Sequence, residues 1–446
     1  MKLRSLILRL LLIMLVGISL ALTWFIWYNP SNFARQQNND VTVEKTTRTT
    51  NQEIKRDTFL PTGVLWQGAQ QKYQLGSTGT GMAARARKAV AKWRVTKVGA
   101  QKQLSVAEYD RLLTEPQSLQ LTYQGTVSWT LMRKLFFGDN SKADASYSFD
   151  RIVFDTENQR TYLVNDYHET SRRLVIKQPN YGAIADLLGA ATTKYKVTEQ
   201  RFDHHEVALL DQSITVQPQT YLIDKQSATH YISLLMTDNT STSAVDTKQI
   251  GNQTVYTVNS NQRLAVDKND SLMQYEDFAA SAPAQTYSGV LSSAFNALSS
   301  LSFASTQGIR YFSYSTQDSA VTFRTYVRGL PVFNQTSNGT VRVVHTTSSK
   351  RIEFSGSNLE AAIPTSQTAV ELPAASEVLA KLQSLGAQPS DIDDLTVAYK
   401  WQRDTNSGLV VNLMPTYYVN VNGTYVDYAD LVDGRVDITT LINTGN

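Results

Sequence analysis

From Leu10 to Tyr28 the chain carries no charged side chain, and this stretch restricts the fold more tightly than any other feature of its 446 residues. Counted back over Leu6, Ile7 and Leu8, the apolar run exceeds 20 residues, the length of helix that crosses a hydrocarbon core. A secretory leader would turn polar near Ile18, although Ser19-Leu20-Ala21 reads like a signal-peptidase site and makes a cleaved leader the alternative. Trp24, Trp27 and Tyr28 place amphipathic rings at the far end, where membrane-interface anchors belong. Lys2, Arg4 and Arg9 flank the near end, and the next basic residue is Arg35. The positive-inside rule then puts the N-terminus in the cytoplasm and the bulk of the chain outside the cell membrane, on a single pass. Gly17 and Ala21 share one helical face, a small-residue spacing that lets a second membrane helix approach, and Ser19 offers a hydrogen bond from a neighbouring face.

Beyond this segment more than 400 residues remain, with 41% of the whole chain apolar, enough for two or three cores. The chain contains no cysteine, which excludes disulfides, thiolate metal sites and cysteine nucleophiles. Three of its 42 basic residues lie in the leading segment, leaving 39 against 39 acidic ones outside and no general attraction to nucleic acid or another polyanion. The charge is uneven, with seven basic and no acidic residues from Met82 to Gln103, and eleven acidic against four basic from Glu360 to Asn446. Solvated faces of opposite sign explain this as well as docking surfaces do.

The organisation expected is a cytoplasmic tip and transmembrane helix over 1–28 and a flexible Asn-, Gln- and Thr-rich stalk over 29–58. An N-terminal extracellular domain over 59–205 follows, then a middle α+β domain over 206–285 and a C-terminal α+β domain over 286–446. In the first, a basic helix is predicted over Met82–Lys97, a second helix runs toward Pro116, and "RIVFDTENQRTYLVN" reads as two strands around a polar turn. "RLAVD" and "SLMQY" flank another turn. Tyr287, Val290, Leu291, Ala294, Phe295, Leu298 and Leu301 form one apolar helical stripe. Five strands follow, from "IRYFSYS" to "RIEFSG", then a helix from Ala374 to Leu385 stopped by Gly386, and closing strands that include "TYVDYADLVDG". Helices on antiparallel sheets make an α+β class.

Sequence traces of catalysis are weak. His168, His204, His205, His230 and His345 form no HExxH or other helical ligand pair, so no metal site is expected. There is no GxSxG elbow and no Ser-x-x-Lys nucleophile. Asp391, Asp393 and Asp394 crowd one loop, as a glycosidase pair would or as a polar turn or cap does. Gly79-Thr80-Gly81-Met82-Ala83-Ala84 matches a phosphate-cradling loop, but no parallel βαβ rhythm surrounds it, and no cofactor or small-molecule substrate follows. Arg85, Arg87, Lys88 and Lys92 on the basic helix are candidates for contact with anionic lipid heads or wall polymers.

The anchor exit "LTWFIWYNP", the domain opening "FLPTGVLWQG" and "GIRYFSYSTQDSAVTFRTYVRGLPVF", with its hairpin Tyr326–Phe333, resemble the YycH family. The resemblance covers essentially the whole chain, more loosely in the middle. It implies an N-terminal domain and two related α+β domains akin to those of YycI. It also implies a non-enzymatic accessory regulator of the WalK/WalR (YycG/YycF) two-component system of low-GC Gram-positive bacteria. The implied partners are a WalK/YycG-like sensor histidine kinase, which controls wall metabolism, and a YycI-like accessory protein, met chiefly through membrane helices. The "GLPVF" hairpin also resembles PepSY-type inhibitory modules at the level of fold. A wall-binding or wall-modifying protein anchored to the membrane is the alternative function.

Overall fold

The computed structural model describes residues 51–76, 81–139, 147–202, 205–236, 245–268, 272–279, 286–303, 308–334, 338–346, 348–404 and 407–443. The apolar leading segment, with Gly17, Ser19, Ala21, Trp24, Trp27 and Tyr28, lies outside them. Among the described residues no helix is long and apolar enough to cross a membrane. The stalk expected over 29–58 ends early, because residues 51–58 are helical and run into the buried Thr58, Phe59 and Leu60.

Two large, mainly antiparallel sheets and a small two-stranded one, Ile214–Val216 with Val370–Leu372, organise the unit Ile54–Asn446. The first has ten strands; its path starts at His205–Leu210 and ends at Arg94–Val98, which pairs with Thr170–Lys177. The hairpin read from "RIVFDTENQRTYLVN" is Ser148–Asp155 against Arg160–Asn165, closed where Asn158 donates its N–H to Asp155 Oδ1 at 2.8 Å. Ser148–Asp155 is buried on both faces: Ile152 and Phe154 join the main core, and Val153 packs under the helix Val106–Leu113 with Tyr109 and Leu113. That helix starts in a capping box, Ser105 Oγ accepting from the Glu108 N–H and Glu108 Oε2 from the Ser105 N–H. It stops at Leu113, ahead of Pro116.

The basic helix is shorter than its charge run suggested. It covers Met82–Val90, the chain turns at Trp93, and Arg94–Val98 is a strand. Trp93 decides this, since its ring is buried between Phe154 at 5.7 Å and Tyr181 at 5.0 Å, and the β-branched Val95, Thr96 and Val98 then suit a pleated edge.

The second sheet has fourteen strands and crosses the boundary expected at residue 285, because Met273–Asp277 pairs with Lys350–Phe354. Gln219–Lys225, from the expected middle domain, likewise pairs with Val410–Val421 of the C-terminal one. The hairpin at Tyr326–Phe333 turns on Arg328 and Gly329, with φ 50 and 87, the two positive values a tight two-residue hairpin requires. From it, Leu330–Phe333 runs parallel to Asp394–Arg403. The helix Tyr287–Ser300 buries Leu291, Ala294, Phe295 and Leu298, the stripe visible in the sequence. The helix Ala375–Ser384 ends in a Schellman arrangement: Gly386, at φ 103, donates to the Gln383 carbonyl and Ala387 to that of Leu382. "TYVDYADLVDG" is a strand only over Thr424–Asp427; Asp427 Oδ1 then accepts from the Ala429 N–H and caps a helix, Tyr428–Val432.

One apolar cluster runs from Phe59 to Phe354 and takes side chains from both sheets. Phe59 stands at the junction, its ring 5.7 Å from Tyr311, 6.4 Å from Phe295 and 6.3 Å from Phe323. Beside it, Tyr311 donates its hydroxyl to the Thr126 carbonyl at 2.6 Å, and Arg310 reaches the Pro61 carbonyl at 3.2 Å. Gly125 sits at this seam because a Cβ there would stand 3.0 Å from Ser313 Cα.

Candidate functional site

The four cations picked out on the basic helix have different surroundings. Arg85 is half-buried and donates from Nη1 to the Ala190 carbonyl at 3.1 Å, and Arg87 lies 3.6 Å from Asp57. Lys88 and Lys92 are exposed. The helix therefore turns two of its three cations inward, Lys92 lies past its end, and the exposed basic character continues into the strand that follows.

The crowded carboxylates have structural partners. Asp391 accepts from the Gln388 N–H at 2.7 Å, Asp393 from the Gly423 N–H at 3.0 Å, and buried Asp394 from Gln124 Nε2 and the Tyr425 hydroxyl, both at 2.8 Å. Three carboxylates with separate partners make a capped turn and a strand start rather than an acid/base pair. His345 is buried, with Nε2 3.0 Å from Ser293 Oγ, and burial pulls its pKa down. No group of acidic or histidine side chains among the described residues is arranged to hold a metal ion. Gly79 and Thr80 of the glycine-rich loop lie outside the described residues; Gly81 precedes the helix start at Met82.

Sequence reading missed a buried ionic network on the first sheet. Arg151, 1% exposed, donates to Asp166 from Nε and Nη2, to Glu199 at 2.7 Å and to Gln120 at 2.8 Å from Nη1. Lys72 pairs with Glu199 and also donates to the Leu113 carbonyl at 3.0 Å. Burial alone would lower the pKa of Arg151 and raise that of Glu199; Asp166 and Glu199 reverse the first, and Arg151 and Lys72 reverse the second. Asp150 and Glu206 go the other way. Burial, and then Asp166, pushes Asp150 up, and burial, then Glu199 and Asp166, pushes Glu206 up to about 7. Charges alternating along a polar-looking strand resemble a solvated face, so only the helix packed above could show that they are enclosed.

A cavity of about 250 Å³ opens where Asp394–Arg403 extends past the end of Leu330–Phe333; its lining includes Lys400, Trp401, Tyr418 and Asp430. Lys400 is spent on Asp427 at 2.6 Å and Asp430 at 3.1 Å, and Arg435 reaches Asp430 at 2.8 Å. These pairs balance two cations against two carboxylates.

The family model described as the YycH protein, N-terminal domain, matches residues 5–190, and that of the YycH protein, C-terminal domain, matches residues 205–432. The crystal structure of YycH from Bacillus subtilis superimposes with a TM-score of 0.68 over 84% of this chain and 96% of that one. At 17% identity that likeness establishes the fold. An uncharacterized protein from Eubacterium rectale aligns with a TM-score of 0.31 and 10% identity, over 52% of this chain and 88% of its own, and adds nothing to the argument. No curated protein matches the chain. The family is one of regulatory accessory proteins of a two-component system, not of known enzymes, and the two models together span most of the sequence: the chain belongs to the YycH family.

Proposed function

We propose that the protein is a single-pass, membrane-anchored accessory regulator of a sensor histidine kinase that controls cell-wall metabolism, and that it works through its apolar leading segment in a complex with a YycI-like partner. Membership of the YycH family carries this reading. The uncharged run Leu10–Tyr28 supports the anchor, and the ring residues Trp24, Trp27 and Tyr28 support its outer boundary. The outer region, over residues 54–446, sits on the extracellular side and requires no chemistry of its own.

The mechanism is a shift of population. If the kinase's membrane helices exchange between two packings, an accessory helix biases them only by binding one better, and a difference of about 1–3 kcal/mol is a sufficient bias. Gly17 and Ala21 supply the close-approach face. Replacing residues 1–28 by an unrelated membrane anchor is expected to abolish co-purification with kinase and partner and to alter kinase output. Retention of both after the swap would assign the function to the outer domains, as a wall-binding protein requires. Gly17→Leu is expected to weaken the same complex without changing membrane insertion.

A further inference from the structure

The free edge of the first sheet carries a charge arrangement that its fold does not need. In the pairing of Arg94–Val98 with Thr170–Lys177, Arg94 lies directly opposite Lys177, and like charges in that position repel. The register shifts between Val95 and Lys97, making Thr96 an extra residue. This bulge turns Lys97 outward opposite Val175 and tucks Val98 inward with Val95, Leu174 and Ile176, all packed in or against the main core. Arg94, Lys97, Arg173 and Lys177 are exposed, and Val175 stands among them 47% exposed. No ion pair is made by these four cations among the described residues, and neither 94–103 nor 170–177 contains an acidic residue. Cations guard an edge strand against pairing with another chain, but Arg173 and Lys177 lie on the inner neighbour, where that protection is unnecessary.

We propose that this face docks on anionic lipid headgroups, Arg94, Lys97, Arg173 and Lys177 meeting the phosphates and Val175 entering the interface. The proposal rests on the membrane-anchored reading above. An apolar side chain ringed by cations gains from a headgroup boundary, whereas a soluble polyanion offers Val175 nothing. The face is one helix away from the start of the compact unit. Asp57, where the chain enters the compact unit, contacts Arg87 of the helix that leads into Arg94–Val98.

The absence of cysteine permits a direct test with the full chain. Val175→Cys, and separately the exposed Leu409→Cys as control, is labelled with an environment-sensitive fluorophore, and the protein is reconstituted with phosphatidylcholine or phosphatidylglycerol vesicles containing a headgroup-quencher lipid. Quenching at 175 is expected in phosphatidylglycerol only, with none at 409. It should disappear in high salt and in the Arg94→Gln, Lys97→Gln, Arg173→Gln, Lys177→Gln variant, whose folding is checked by thermal unfolding; salt alone decides if that variant does not fold. Co-flotation is scored alongside. Flotation with both lipids but no quenching at 175 would overturn the lipid face while leaving the anchor intact. Flotation with phosphatidylglycerol alone, with quenching at 175, would remove the anchor and keep the face; flotation with neither would remove both. Equal quenching at 409, or a soluble polyphosphate that shifts the 175 probe and displaces the vesicles, would also overturn the lipid assignment.

Discussion

Arg151 grips Asp166 through two guanidinium nitrogens, Nε at 3.1 Å and Nη2 at 2.8 Å, inside a sheet face closed by the helix Val106–Leu113. A buried pair is worth little against an apolar replacement of the whole set, but removal of one partner strands the other charges. Arg151→Met is therefore expected to lower unfolding free energy by about 3–5 kcal/mol, read from the denaturant midpoint. A loss below about 1 kcal/mol, the size of a surface pair, would show that water reaches Asp166 and Glu199.

Glu206 gives the network a pH signature of definite sign. Its folded pKa of about 7 lies above the ordinary 4.5, so between those values the folded state holds a proton that the unfolded chain has released. This contribution lowers stability as pH rises from 4.5 to 7 and is constant above. Glu206→Gln should remove that slope, making the variant gain on the wild type through this window. Parallel stability curves for the two proteins from pH 4 to 8 would contradict the assignment.

Phe59 is fully buried against Tyr311, Phe295 and Phe323, and it links the two sheets across the seam. Phe59→Ala should cost about 3–5 kcal/mol through lost burial and the cavity left behind. If the sheets depend on each other, probes in both should report one common unfolding transition, moved to lower denaturant; separate transitions would show that the sheets fold independently.

Gly329 isolates a backbone effect. At φ 87 its missing Cβ would meet nothing within 4 Å, so Gly329→Ala introduces strain without a clash. The expected loss is about 1–2 kcal/mol in thermal unfolding. An unchanged melting temperature would mean the turn relaxes to another type.

Much of this molecule is legible in its sequence. The stripe on Tyr287–Ser300, the Gly386 stop and the hairpin at Arg328–Gly329 depend on residues close in sequence, where periodicity and turn chemistry act directly. The family resemblance rested on similarly local stretches, and the matching family models agree with it. The basic helix is shorter than its charge run suggests because charge content does not register the burial of Trp93, which forces the turn into Arg94–Val98. The sheet that crosses residue 285 is invisible to local pattern because pairing such as Met273–Asp277 with Lys350–Phe354 joins residues far apart in the chain.

The sequence by itself determined the α+β class, the uncharged leading run and the absence of cysteine chemistry, since each follows from composition and short-range pattern. Tertiary structure alone decided which charges are enclosed. Arg151 and Arg173 are both strand arginines in the same sheet, yet one lies under a helix with carboxylates within hydrogen-bonding reach and the other faces open solvent. That difference comes from what packs above each strand, and burial by a distant segment leaves no mark on the local sequence.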